Sequence, residues 1–261
     1  MLIDVNAWLG VWPFRSLKDN TPEALVARLD RSGIDIAAVS LIEAIFHRNV
    51  QPANEKLAKA VQPCKDRLLP MATLNPTYPA WEDDLAACHE KLGMKGVRLF
   101  PQYHGYPIDG PLGRQVVEAC RERNLPVFIP HRIEDARERH WMDPGKTVDL
   151  GAVAGLIAAV PGATVVVPNA RGVSGSDLWQ RTDLRDRPWY VDLSLWEPNR
   201  EFANFLNQGG ASHLLFGTHL PFSYAGSALV KRATLPLNAE GLADVSYRNA
   251  AKIFGLKPQA A

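Results

Sequence analysis

Three cysteines in 261 residues, Cys64, Cys88 and Cys120, are too few and too oddly numbered for a disulfide framework, and none stands at a metal-binding or redox spacing. They read as free thiols, two of them inside helical patterns. A surplus of one charge is missing as well. The chain has 29 Lys and Arg against 28 Asp and Glu, a net charge of +1, so it presents no general surface for a polyanion and nucleic acid is not an expected partner. The longest apolar runs, 150–160 and 163–167, fall well short of the roughly 20 residues that span a bilayer. No membrane partner is expected. Residues 1–10 lack the basic region and long apolar stretch of a signal peptide and read as a strand, which makes the cytoplasm the expected location. Nucleotide and nucleophile signatures are absent too: there is no Gly-x-Gly-x-x-Gly, no P-loop and no Gly-x-Ser-x-Gly elbow, and Ser174 and Ser176 lie in a glycine-rich loop.

What the chain does have is rhythm. Short aliphatic or β-branched runs recur at Leu2–Asn6, Ile36–Leu41, Leu68–Leu74, Gly96–Leu99, Pro126–Ile129, Thr164–Val167, Trp189–Leu193 and Leu214–Gly217, separated by amphipathic stretches. Thr21-Pro22-Glu23 opens one helix and Gly33 closes it; Trp81–Leu92 forms another, stopped by Gly93. Gly113–Arg123, Val148–Val160, Glu201–Asn207 and Ala239–Phe254 supply further helices. No linker, repeat or shift of composition divides the chain, so residues 1–261 form one domain. Eight strand-helix units in a chain near 250 residues predict an α/β fold of the closed (β/α)₈ TIM-barrel type; an open doubly wound sheet is the competing architecture.

In such a barrel, chemistry sits at the carboxyl ends of the strands. The polar and aromatic residues there are Asn6 and Trp8, Glu43, Asn75, Arg98, His131 and Arg132, Asn169 and Arg171, Asp192 and Ser194, and His219. His219 and His131 are the candidates for proton transfer, because imidazole titrates near neutrality. Asn6 and Asn169 are suited to positioning a carbonyl, Trp8 to filling space or stacking on a planar ligand, and Arg98, Arg132 and Arg171 to holding an anion by forked hydrogen bonds. The segment 131–140 is dense in ionisable groups and is expected as a helical turn, with Asp135 facing Arg139.

Several segments resemble, in order along nearly the whole chain, the metal-dependent amidohydrolases of the "amidohydrolase 2" type: Ile3-Asp4-Val5-Asn6-Ala7-Trp8-Leu9-Gly10, Asn54-Glu55, Arg67-Leu68-Leu69-Pro70 with Asn75-Pro76, and Gly93-Met94-Lys95-Gly96-Val97-Arg98-Leu99. Leu125–Ile129, Leu215-Phe216-Gly217-Thr218-His219-Leu220-Pro221-Phe222 and Asn249–Leu256 complete the set. The resemblance implies an amidohydrolase-like barrel, and one able to pair as a homodimer. It also implies a metal site opening on His-x-His, where this chain has Asn6 and Trp8. The strand-five histidine falls on Pro130, with His131 one step away on the other face of the strand. The strand-six histidine falls on Asn169, and the strand-eight aspartate on His219.

Tryptophan and proline donate nothing to a metal, and zinc needs three or four converging donors. The expectation is therefore a divergent hydrolase for a small anionic substrate, a carboxylate-bearing or cyclic amide or lactone, working with no bound cofactor and no metal-ligating residues. Two alternatives stand beside it: a catalytically inactive barrel serving as a binding or scaffold protein, and a rearranged zinc or manganese site at Glu43, His131 and His219.

Overall fold

A computed structural model describes residues 1–257; positions 258–261 of the expected domain lie outside the described residues. Parallel strands run in sequence order: β1 (Ile3–Leu9), β2 (Ile36–Leu41), β3 (Leu68–Pro70), β4 (Ala72–Leu74), β5 (Val97–Leu99), β6 (Val127–Phe128), β7 (Val165–Val167), β8 (Trp189–Asp192) and β9 (Leu214–Leu215). β3 and β4 are halves of the single strand expected over 68–74. They part at Met71, so that β3 pairs with β2 and β4 with β5. The ring closes between the last strand and the first: Val5 N donates to Phe216 O at 3.0 Å, and His219 N to Asn6 O at 2.7 Å. This is the barrel, and the open sheet is excluded.

The helices follow their punctuation. Thr21 Oγ1 accepts from Ala24 N at the start of helix Pro22–Ser32, and Gly33 ends it at φ 65. That helix buries Leu25 and Leu29 completely against the strands, each contributing about 1.5–3 kcal/mol of apolar burial. Helices Gln51–Val61 and Ala225–Ala233 complete the crossovers for which the sequence offered little punctuation. The segment 131–140 is a turn-rich loop, not a helix, and Asp135 pairs with Arg132 and Arg137 while Arg139 donates to Gly145 O. Cys88 and Cys120 are buried free thiols, which burial pushes up to about 12; Cys64 is free and half-buried.

Within the ring the side chains form layers. Ile3, Val5, Ala38, Met71, Phe128, Val166 and Leu215 make an apolar floor closed from below by Phe254 of the last helix. Trp8, Trp12, Ile42, Phe100, Ile133 and Phe222 make an aromatic roof. A register shift between Asp4 and Ala7 lets one strand serve both, because it changes the parity so that Val5 and Trp8, three residues apart, both join inner layers.

Candidate functional site

Between floor and roof lies a polar layer that protein atoms fill. Asn6 Nδ2 donates to Asn169 Oδ1 and to Asp192 Oδ2, each at 2.8 Å, and Asn6 Oδ1 accepts from Trp8 Nε1 at 3.1 Å. Asn169 N donates to Asp192 Oδ1 at 2.9 Å, and Ser194 Oγ lies 2.8 Å from the same oxygen. Asp4 accepts from Thr218 N, Thr218 Oγ1 and Asn6 N; burial nevertheless pushes its carboxyl up to about 6. Burial raises Asp192 likewise. Asn169 and His219, at φ 59 and 62, hold left-handed backbone conformations that cost a non-glycine residue energy, so the strand ends carry strain where the hydrogen bonds converge.

His219 is locked inside this layer. Its Nε2 lies 2.6 Å from Ile133 O, and a carbonyl only accepts, so the proton sits on Nε2. Nδ1 then accepts from Trp8 Nε1 at 3.1 Å. The ring stacks on Phe222 at 4.7 Å, and burial drives its pKa down to about 3. Both ring nitrogens are thus engaged within the protein, an arrangement that disfavours the expected proton transfer, while His219 also contributes to the lining of the cleft beside the roof. Burial and the neighbouring Arg132 push His131 down as well, to about 4, and its Nδ1 is buried without a hydrogen-bond partner.

Arg98 stands apart from the other two arginines, while Arg132 and Arg171 are neighbours. Arg98 is fully buried, donates to the carbonyls of Ala7, Val5 and Ala38, and lies 4.1 Å from the Trp8 ring, so it braces the barrel and faces no cleft. Arg132 donates to Asn169 O, Leu195 O and Asp135, knitting three strand-end loops together. Arg171 is exposed at the rim. The expected three-arginine anion clamp is thus not assembled.

An accessible cleft opens beside the roof. This cleft of about 610 Å³ lies between the loop after β1 and the segments 133–138 and 221–224, walled by Leu17, Ile133, Leu195 and Phe222. Arg15 reaches into its lining, giving Nε to Glu134 Oε1 at 2.7 Å and Nη2 to Phe222 O at 2.8 Å, with its guanidinium 5.9 Å from the Phe222 ring. Lys18 and Arg137 stand at the edges. Arg15 was not legible as a site residue from strand ends alone; the signal for it is a cation immediately following the run Trp12-Pro13-Phe14 in the loop after β1, on the carboxyl face.

The amidohydrolase family model matches residues 13–256. The chain belongs to the amidohydrolase family. None of the curated proteins compared by sequence matches it. Among solved structures, this amidohydrolase barrel is similar to 5-carboxyvanillate decarboxylase from Sphingomonas paucimobilis, at 15% identity and TM-score 0.75, covering 98% of this chain and 99% of that one. A 2,6-dihydroxybenzoate decarboxylase complexed with 2,6-dihydroxybenzoate gives 16% identity, TM-score 0.75 and the same coverage. Dihydroxybenzoic acid decarboxylase from Polaromonas, with bound manganese and 2-nitroresorcinol, gives 16% and 0.72, covering 97% and 96%.

These comparisons correct the expectation of no cofactor, since a barrel of this fold is crystallised with manganese bound. The strand ends of this chain do not fit such an ion in the inherited way. Asn6, Trp8 and His219 are committed to one another, Glu43 is taken up by Lys56 and Val11 N, and among the described residues no three His, Cys, Asp or Glu side chains could hold a metal. The rearranged Glu43, His131, His219 site is not assembled among the described residues. Among the described residues, no helix is long and apolar enough to cross a membrane.

Proposed function

We propose that this chain binds a small carboxylate, cyclic or aromatic, in the cleft beside the β1 loop, with Arg15 as the anchor. One observation carries the reading: Arg15 is held by Glu134 and the Phe222 carbonyl and lines a cleft of about 610 Å³, within the size range of small-molecule sites. A pre-positioned guanidinium takes a carboxylate by two parallel hydrogen bonds, and Phe222, Leu17 and Leu195 give a ring an apolar wall. The complex of a fold relative with 2,6-dihydroxybenzoate supports a ligand of that type. Holding the ligand is favoured over hydrolysing it, because both nitrogens of His219 are already bonded within the protein.

Isothermal titration with benzoate and 2,6-dihydroxybenzoate tests it. Saturable binding of at least one acid is expected, weakened about tenfold or more in Arg15→Ala, the worth of a charge-assisted pair. Equal affinity in Arg15→Ala sinks the assignment. The same acids incubated with the protein and added manganese should stay intact; loss of the carboxylate would replace this reading with a decarboxylase.

A further inference from the structure

Behind Glu134, on the side away from the ligand cleft, is a second and much smaller cavity. Its volume is about 30 Å³, and Glu134, Asp143, Arg132, Arg139, Arg171 and Tyr103 contribute to its lining. Two carboxylate oxygens facing it, Glu134 Oε2 and Asp143 Oδ2, are buried and have no protein partner. Both residues are 5% exposed. Their other oxygens are occupied: Glu134 Oε1 accepts from Arg15, and Asp143 Oδ1 accepts from Tyr103 Oη and Gly145 N, each at 2.9 Å.

We infer that this cavity is a built site for one ordered water, which donates one hydrogen to Glu134 Oε2 and the other to Asp143 Oδ2. Buried acceptors without partners are rare in folded proteins, and a polar cavity of this size is what one water needs. The charges select among occupants. Two carboxylates repel an anion, while three guanidinium groups around them disfavour a cation, and no third acid is present to hold a metal. A neutral molecule with two donors satisfies both oxygens, and its own oxygen accepts from an arginine. Burial and the facing Asp143 hold the Tyr103 phenol far above its ordinary range, so it stays protonated as the donor at the other end.

The water completes a relay: Tyr103 to Asp143, through the water to Glu134, and from Glu134 to Arg15 at the cleft. Asp143 is then a positioning residue for the ligand anchor, a role that rests on the carboxylate-binding reading above, whereas the water itself does not.

A crystal structure at atomic resolution, joined to a double-mutant cycle in urea, tests both parts. Density is expected within hydrogen-bond reach of both carboxylates, with a water's scattering. An empty cavity or a refined ion overturns the proposal. In the cycle, Asp143→Ala and Glu134→Ala should be non-additive in the unfolding equilibrium by roughly threefold or more; additivity overturns the link. Asp143→Asn, which keeps the Tyr103 acceptor and can still bond the water, should stay near the parent in stability. Benzoate affinity should fall in Asp143→Ala and recover in Asp143→Asn; equal affinity in all three overturns the positioning role. If the parent binds no carboxylate at all, the cleft assignment fails, and the density and the cycle still decide the water.

Discussion

Arg98 shows how a charge can live in the centre of this barrel. Its guanidinium is desolvated, which lowers its pKa to about 9, and the carboxylates of Asp4 and Asp192 oppose that shift. Three main-chain carbonyls take its protons and the Trp8 face covers it. Replacing such a group with an apolar one of similar length removes the donors and leaves two buried acids without their counter-charge. Arg98→Met should therefore cost about 3 kcal/mol, the scale of stripping buried carbonyls of a charged donor and buried acids of a nearby counter-charge. Urea denaturation measures it, and adding Asp4→Asn should recover part of the loss because the stranded charge goes too. A cost near zero, or no recovery, would mean that the packing of Arg98 matters and its charge does not.

At the scale of elements, strands and crossovers were legible because burial on both faces of a parallel strand writes continuous aliphatic runs, and caps such as Thr21 and Gly33 mark the helices. The candidate site was less so. Strand-end placement identified Asn6, Trp8, Asn169 and His219 as neighbours, which they are, but it did not reveal that they satisfy one another. Nor could periodicity show the shift in β1 that turns Trp8 inward, or Arg15 folding back from its loop. Those depend on contacts between residues far apart in sequence. Gly217 offers a test of how tightly the last and eighth strands interlock. A Cβ there would meet Asp192 Oδ2 at 2.3 Å and Cγ at 2.9 Å, and Asp192 is tied to Asn6, Asn169 and Ser194. Gly217→Ala should cost about 1–3 kcal/mol through overpacking, read as a lower thermal midpoint. An unchanged midpoint would show that the polar layer yields more readily than its bonds suggest.

For the molecule as a whole, the buried histidines set the response to acid. Burial lowers His219 from 6.5 to about 3, His104 and His131 to about 4, and His213 in the same direction. As pH falls below 6.5 the unfolded chain takes up these protons before the folded one does. Stability is therefore full above 6.5 and is lost progressively toward pH 4, at up to about 1.4 kcal/mol per pH unit for each group. Asp4, raised from 3.8 to about 6, acts with the opposite sign: between those values the folded chain keeps the proton that the unfolded chain has lost, so acidification favours folding. Asp192 shares that sense. Asp84 is raised too, whereas Asp135 and Asp183 are lowered by their arginine partners and join the four histidines, which leaves a net loss on acidification. Thermal midpoints recorded across this range should fall as pH drops below 6.5. His219→Gln, which removes the most strongly shifted histidine, should give a less stable protein near neutrality but a shallower slope. A parent curve that is flat or rising toward acid would mean that the aspartates of the polar layer, and not the histidines around it, control the folded charge state.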